Sequence, residues 1–568
     1  MNHYSLVEKR IRYVVAISLV LLIAFAVRLV DVQAVRAAGY ANRADMELAK
    51  KSIIMAPRGA ITDINGVEFA RSVTAYRILA DQAIIDYPRK LAEIAAPILG
   101  MSVAKLEQEL TGTRRYVVIS QSVKPDVWRK LETAVDQYNS SVAKDKNGYV
   151  KKLAGFFAER IYVREYPEGE LGAAVVGFIN RAGDGAAGLE YSMNSTLAGI
   201  NGEYTYANAA GTIIPGTQKI TAEAIRGNSI RLTEPGNTKN VDPYRWQNPS
   251  VQEVYEPGST GKVITIASAI EEGKIAPESV LTIPYKLKRS NKVFHDHEPH
   301  PVQRLTLAGA LAVSSNTGAI KIGEMLSNEK LHGYLKKFGI AEKPGSGLPG
   351  EESGKLLAVK DWSGTTAPTV AFGQGYSVTA MQATSVFATI ANDGVRVTPT
   401  VIAGVSDAAG RYTPANKQKS LRVVSADTAK QMRLMMESVV SASGTAPSAA
   451  IPGYRVAGKT GTAMRVDDSC GCYRGYTASF IGFAPADKPE FVVSVTIQDP
   501  KGIHWGGYLG GPVFKKVMSF VLKDQHIPPT QPATFTYALN EKDLKARIAA
   551  EAATANTSTN KTRVQNND

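Results

Sequence analysis

Cysteine is nearly absent from this chain of 568 residues: there are two, Cys470 and Cys472, in the stretch DSCGCY. A thiol metal site or redox centre would need partner ligands that the sequence does not supply. The pair is therefore either two free loop thiols or a small local bridge, which an oxidising compartment permits and Gly471 eases. Long apolar runs are also scarce. One stands near the N-terminus, YVVAISLVLLIAFAV from Tyr13 to Val27, and no later segment is long and apolar enough to cross a bilayer. No zinc finger, RNA-binding signature or concentrated Lys/Arg block is present, which sets nucleic acid aside as a partner. Internal repeats are missing as well.

What is present fits a globular protein. Apolar residues make up 44% and charged residues 21%. The length calls for two or three domains. A net charge of +14 favours anionic surroundings, with membrane headgroups and acidic wall polymers ranked first. The apolar run follows Lys9, Arg10 and Arg12, so the N-terminus is expected in the cytoplasm. Leu29, Val30 and Val32 extend the run, and Arg28 can snorkel to the interface. A cleaved signal peptide with an exit at Val32-Gln33-Ala34 is the rival reading. The uncleaved single-pass anchor is preferred, with everything after about residue 36 extracytoplasmic.

The chain divides on composition. Residues 1–12 form a cytoplasmic tail, 13–35 the membrane anchor, 36–215 a mixed pedestal or dimerisation-type domain, and 216–530 a second compact domain. Residues 531–568 form a small, polar, largely disordered tail. In the pedestal, RGAITDINGVEFA reads as strand, Asn-Gly turn and strand. Residues 91–110 read as helix broken at Gly100. In the second domain, YRVAGKTGTAMR, YTASFIGFAPA and EFVVSVTIQD read as strands of an antiparallel meander. The run GGPVFKKVMSFVLKD reads as a closing helix with an apolar face at Val513, Val517 and Val521.

A turn in YEPGSTGK delivers Ser259 to the start of an apolar helical run, KVITIASAI. Lys262 lies three residues on, and positions three apart share a helix face. Val263 and Ile266 would dry the ammonium, lowering its pKa. A neutral lysine could then take the serine proton. The plainer reading is a serine cap with a solvated lysine. The same spacing recurs at Ser102/Lys105, Ser141/Lys144, Ser327/Lys330 and Ser558/Lys561, so spacing alone decides nothing.

Order and context decide more. Ser259-x-x-Lys262 is followed by Ser314-Ser315-Asn316 between two helical runs, then by Lys459-Thr460-Gly461-Thr462 on a strand. With these three motifs the chain resembles the class B penicillin-binding proteins, the monofunctional peptidoglycan transpeptidases. The stretches RGAITDINGVEFA, REYPEGELGAAVVGFI, GLEYSMNSTLAG and AFGQGYSVTAMQ extend the match from about Arg28 to Phe520. SSN and KTGTA look closer to the septal, FtsI-type branch. The fold this implies is α+β: an anchor, an elongated pedestal, and a β-lactamase-like domain with an antiparallel sheet flanked by helices.

The resemblance also implies a chemistry. Ser259 attacks the carbonyl between the last two D-alanines of a stem peptide, Lys262 takes its proton, and a neighbouring stem amine resolves the acyl-enzyme. Ser314 relays a proton to the leaving amine, and Asn316 holds Lys262 and the substrate amide. Strand alternation puts Thr460 and Thr462 on one face, where their hydroxyls can hold the substrate carboxylate. Lys459 adds positive potential from behind, and Gly461 keeps the strand clear. The backbone N–H groups of Ser259 and Thr462 form the oxyanion hole. Implied partners are stem peptides, β-lactams, other division proteins, and a membrane-embedded glycosyltransferase of the shape, elongation, division and sporulation family. No cofactor and no metal are expected. The competing readings are a D,D-carboxypeptidase or β-lactamase, and a penicillin-binding scaffold or receptor with weak or no catalysis.

Two stretches depart from the pattern. In this family the transpeptidase domain opens with a long helix and two sheet strands, before the nucleophile. Here SIRLT ends at Thr233, and too few residues follow before Ser259 for a helix of about 11 residues and two strands of about 5. The segment between Thr233 and Asn248 therefore reads as shortened, leaving three strands in the main sheet with an exposed edge. The second is HDHEPH, where His295, His297 and His300 flank Asp296 and Glu298. These are zinc-ligand residue types, but a solvated loop near the site is the preferred reading.

Overall fold

The computed structural model describes residues 3–39, 49–142, 152–169, 172–209, 212–213, 219–233, 248–467, 470–530 and 536–564. Helix α1 (His3–Val30) carries the N-terminal apolar run. The span Glu8–Val35 has mean hydropathy 2.6, is not buried against the rest of the chain, and is the one described helix long and apolar enough to cross a membrane.

The chain forms two compact units. The first comprises Met1–Gly169, Met193–Arg231 and Gly404–Thr413. Its central strand β1 (Glu68–Ala80) pairs antiparallel with β2 (Val117–Val123) and β3 (Phe156–Glu165). The Asn-Gly turn stands where the sequence places it, with Ile61 paired to Ala70. Helices α2 (Pro88–Leu99) and α3 (Val103–Leu110) are separated by Gly100, which adopts the left-handed conformation that favours glycine. With α4 (Pro125–Ser141), they bury Leu91, Ala95, Leu106, Leu110 and Leu131 against Ile78 and Val117.

The second unit comprises Glu170–Ser192, Leu232–Ala403 and Pro414–Asp568. Helix α5 (Lys262–Glu271) is buried on all sides, as its all-round apolar sequence requires. The short helices α6 (Leu307–Ala312) and α7 (Asn316–Gly323), together with α8 (Ala380–Ala391) and α9 (Ala426–Glu437), share its core. Strands β4 (Ala457–Asp467), β5 (Cys472–Ala484) and β6 (Phe491–Gln498) form an antiparallel meander in the order β4-β5-β6. Among the described residues this sheet has three strands. The shortened stretch after Thr233 lies mostly outside the described residues.

Helix α10 (Gly506–Asp524) covers one face of the meander. Its buried side is Phe514, Met518 and Leu522, not the Val513, Val517 and Val521 face read from the sequence. Gly507, Gly510 and Gly511 set the rotation. A Cβ on Gly510 would stand 2.9 Å from the Cβ of Phe480, so the helix lies down on its glycine side, which continues into Phe514. Phe514 meets Phe480 edge to face, with centroids 4.8 Å apart.

The C-terminal stretch also differs from its expected disorder. Thr306 makes two hydrogen bonds to it: the N–H donates to the Leu539 carbonyl (3.1 Å) and the hydroxyl to that of Ala538 (2.6 Å). Helix α11 (Glu541–Val564) begins with Glu541 paired to Arg304, and Arg547 pairs with Glu278. These contacts to distant residues compensate for a sequence with few apolar side chains. Cys470 and Cys472 are bridged in the β4–β5 turn.

Candidate active site

Ser259 lies in a single 3-10 turn, Gly258–Gly261, that runs directly into α5. Unlike an N-cap serine, it makes no capping hydrogen bond. Its hydroxyl is 3.0 Å from the nitrogen of Lys262. The Lys262 side chain is 1% exposed. Its nitrogen also donates to the Ser314 carbonyl at 2.6 Å and to Asn316 Oδ1 at 2.7 Å.

Those partners define what a neutral Lys262 does. The Ser314 and Asn316 oxygens are pure acceptors and take both N–H groups of an amine. The lone pair is left for the Ser259 hydroxyl. Burial lowers the Lys262 pKa to about 7, with the Asp296 carboxylate pulling the other way.

Ser314 closes the second layer. It has φ +62, an uncommon conformation for a residue with a side chain. This left-handed kink between α6 and α7 turns both its carbonyl and its hydroxyl towards Lys262, the hydroxyl at 3.3 Å. The same hydroxyl accepts from Lys459 at 2.8 Å. Lys459 is fully buried on β4, and burial, then the proximity of Lys262, hold its pKa well below the usual lysine range. Two buried amines thus share one hydroxyl, an arrangement that disfavours charging both.

Strand β4 supplies the remaining residues. Thr460 Oγ1 lies 2.9 Å from Thr445 Oγ1 and 3.2 Å from the Lys459 nitrogen. Thr462 Oγ1 accepts the backbone N–H of Gly506, at the start of α10, at 3.2 Å. A Cβ on Gly461 would stand 2.3 Å from Ser479 Oγ and 3.0 Å from the Pro257 carbonyl. One on Gly258 would reach Ala463 and Thr462 at 3.1 and 3.2 Å. The turn carrying Ser259 therefore backs directly onto Thr462, which brings the two backbone N–H groups of the expected oxyanion hole to neighbouring chain segments. All eight residues read from the sequence, Ser259, Lys262, Ser314, Asn316, Lys459, Thr460, Gly461 and Thr462, meet in one place.

Sequence reasoning missed the groups that hold these residues. Asp296, noticed only as a metal-ligand type, is buried beneath the start of α7. It accepts the N–H of Asn316 (2.5 Å) and of Thr317 (2.8 Å) and the hydroxyl of Ser315 (2.7 Å). Its histidine neighbours do different things. His300 contacts the Asp296 carboxylate at 3.1 Å, His295 Nδ1 lies 2.8 Å from the Asp296 carbonyl oxygen, and the His297 ring meets Trp505. Among the described residues no group of three His, Cys, Asp or Glu side chains is placed to hold a metal. Glu256, three residues before the serine, accepts from the Gly375 N–H (2.9 Å) and the Tyr473 hydroxyl (3.2 Å). Burial raises its pKa against those bonds. The signal for Glu256 was its place inside the nucleophile motif; no local pattern marked Thr445 or Gly506.

Comparison with known proteins agrees with this assembly. The family model for the penicillin binding protein transpeptidase domain matches residues 221–519, and that for the penicillin-binding protein dimerisation domain matches residues 53–232. The chain is 32% identical to penicillin-binding protein PbpB of Mycolicibacterium smegmatis over 582 aligned positions, covering 90% of each chain. It is 28% identical to the peptidoglycan D,D-transpeptidase FtsI of Escherichia coli, over 85% of this chain and 86% of that one. The crystal structure of penicillin-binding protein 3 from Mycobacterium tuberculosis, complexed with aztreonam, superposes with a TM-score of 0.64 at 26% identity. That match covers 86% of this chain and all of the other.

Proposed function

This chain belongs to the penicillin-binding protein transpeptidase family, and on that premise we propose that it is a membrane-anchored, serine-type peptidoglycan D,D-transpeptidase of septal wall synthesis. Ser259 is the nucleophile. It attacks the carbonyl between two terminal D-alanines while its proton passes to Lys262. The N–H groups of Ser259 and Thr462 take the developing oxyanion, a contribution of roughly 3–4 kcal/mol per donor. Thr460 and Thr462 hold the substrate carboxylate, with Lys459 supplying positive potential behind them. Ser314, which touches both lysines, carries the proton on to the departing amine, and the carbonyl carbon is left bonded to Ser259 Oγ. An amine from a second stem then attacks that ester, forming the cross-link and freeing the serine. A β-lactam follows the first half of this course and stays bonded. The basic residues before α1's apolar run support an N-terminus in the cytoplasm and a catalytic unit outside. There it works with a membrane-embedded glycosyltransferase of the shape, elongation, division and sporulation family, and with other division proteins.

The observation that carries the reading is the buried Lys262 nitrogen, 3.0 Å from Ser259 Oγ and held there by two acceptors. The experiment is mass spectrometry of the intact protein after penicillin exposure, set beside Ser259→Ala. A stable penicilloyl adduct on the native chain alone, with cross-linked product from paired stem peptides, is expected. Rapid release of hydrolysed drug would make it a β-lactamase; no adduct would make it a scaffold.

A further inference from the structure

The stretch HDHEPH holds one more group that bears on the site. Pro299 and Pro301 bracket His300. The first fixes its own φ, and the second confines His300 to extended backbone, so the ring is presented from a stiff segment. That segment joins the strand Lys292–His295 to the strand Gln303–Thr306, which runs into α6 and so to Ser314. The His300 side chain is 14% exposed.

Both ring nitrogens meet acceptors. Nδ1 lies 2.7 Å from the Pro301 carbonyl oxygen, and Nε2 lies 3.1 Å from Asp296 Oδ2. A carbonyl offers only lone pairs, and so does an ionised carboxylate. A neutral imidazole has a single N–H and satisfies one of the two; the imidazolium satisfies both. Asp296 is used elsewhere as an acceptor alone. Its Oδ1 takes the N–H groups of Asn316 and Thr317, and its Oδ2 takes the Ser315 hydroxyl. Three donors already point at it, which is the environment of an ionised carboxylate and not of an acid with a proton to give. The remaining neighbours do not compete for the ring. Tyr285 meets it edge to face at 5.8 Å, with His295 and Lys286 beyond Tyr285. Glu298, in the same loop, is exposed.

Asp296 thereby stands between two nitrogen bases. At one oxygen it accepts the N–H of Asn316, whose Oδ1 holds the Lys262 nitrogen at 2.7 Å. At the other oxygen stands His300. The Asp296 charge favours a proton on Lys262. A positive ring beside the same carboxylate draws on that charge and disfavours a second cation nearby.

We propose that His300 is a positioning residue: held as an imidazolium against Asp296, it offsets that carboxylate's charge and keeps Lys262 in the free-amine form. The proposal rests on the reading of Lys262 as the base that takes the Ser259 proton. Without the ring's charge, Asp296 acts on Lys262 alone, the amine stays protonated to higher pH, and acylation begins later as pH rises.

The test uses the full chain in lipid nanodiscs and stopped-flow acylation by fluorescent penicillin as a function of pH. His300→Gln leaves a neutral donor for Asp296, whereas His300→Lys restores a cation without the ring. The midpoint for His300→Gln should move to higher pH by at least about 0.3 unit, so that below the midpoint it is acylated at least about twofold more slowly than the native chain. His300→Lys should keep the native midpoint or fall below it. Nitrogen-15 spectra of the native chain, with the His300 signal identified by its loss in His300→Gln, should show both ring nitrogens protonated at the pH of half-maximal acylation. A midpoint unmoved in His300→Gln, or moved equally in His300→Lys, overturns the proposal, even where both variants lose Tm. A singly protonated ring overturns it as well. A native chain that is never acylated overturns the reading of Ser259 and Lys262 and the proposal with it. That failure shows in the native chain, whereas failure of the proposal alone shows in the variants or the ring.

Discussion

The carboxylate of Asp296 accepts the backbone N–H of Asn316 at 2.5 Å, across twenty residues of sequence. Through Asn316 Oδ1, 2.7 Å from the Lys262 nitrogen, it helps fix the orientation of Lys262, the proposed general base. It also opposes the effect of burial on the Lys262 pKa. Asp296 is thus a positioning residue with two separable effects.

Replacing it separates them. Asp296→Asn should slow acylation of Ser259 and move the midpoint of the pH profile to lower pH, because a stabilising charge beside Lys262 is lost. Asp296→Ala should do the same and also slow acylation by about 10²-fold, the scale of a displaced reacting group. It should lower Tm as well, since three buried donors lose their acceptor. A stopped-flow acylation profile against pH checks both. A purely structural role would lower Tm and leave the midpoint unmoved.

In the native chain the acylation rate should rise with pH and reach half its plateau near 7. The sign follows from Lys262 acting as its free amine. Below about 7 the amine is protonated and has no lone pair for the Ser259 proton; above it the base is competent. A rate constant flat from about pH 5.5 to 8.5, a window either side of that midpoint, would contradict this.

Gly373 has φ +94, and a Cβ there would stand 1.7 Å from the Gly258 carbonyl oxygen. The Gly373 carbonyl also accepts the Gly258 N–H at 2.8 Å. Gly373→Ala should therefore strain its own backbone, at a cost of order 1–3 kcal/mol, and push the turn that carries Ser259. Calorimetry should show a lower Tm. Penicillin labelling should fall at temperatures where the variant is still folded.

Ser327 and Ser259 share the same spacing to a lysine but should respond oppositely. Ser327 Oγ caps its helix by accepting the Lys330 N–H. Ser327→Ala should lower stability by about 1 kcal/mol and leave labelling unchanged. Ser259 caps nothing, so Ser259→Ala should abolish labelling with little change in Tm. Urea unfolding and gel fluorescence check the pair.

That contrast marks the boundary between local and tertiary information. Local pattern was enough for the N-terminal span, the helix break at Gly100, the Asn-Gly turn before β1 and the three strands of the meander. Each depends on periodicity, or on a backbone conformation that few residues adopt. The three motifs also supplied the residue types of the site, because acyl transfer needs those groups and their order along the chain is restrictive. What only the folded chain decided was which serine–lysine pair is brought together with the other two motifs. Ser102 and Ser327 cap their helices, whereas Lys262 is dried by α5 and held by groups 52 and 54 positions away. The same holds for Asp296, whose role depends on a loop returning beneath α7. It holds too for α10, whose glycines overruled its valine stripe, and for the C-terminal stretch anchored to Arg304 and Glu278. Burial and long-range pairing set these outcomes, and neither is a property of neighbouring residues.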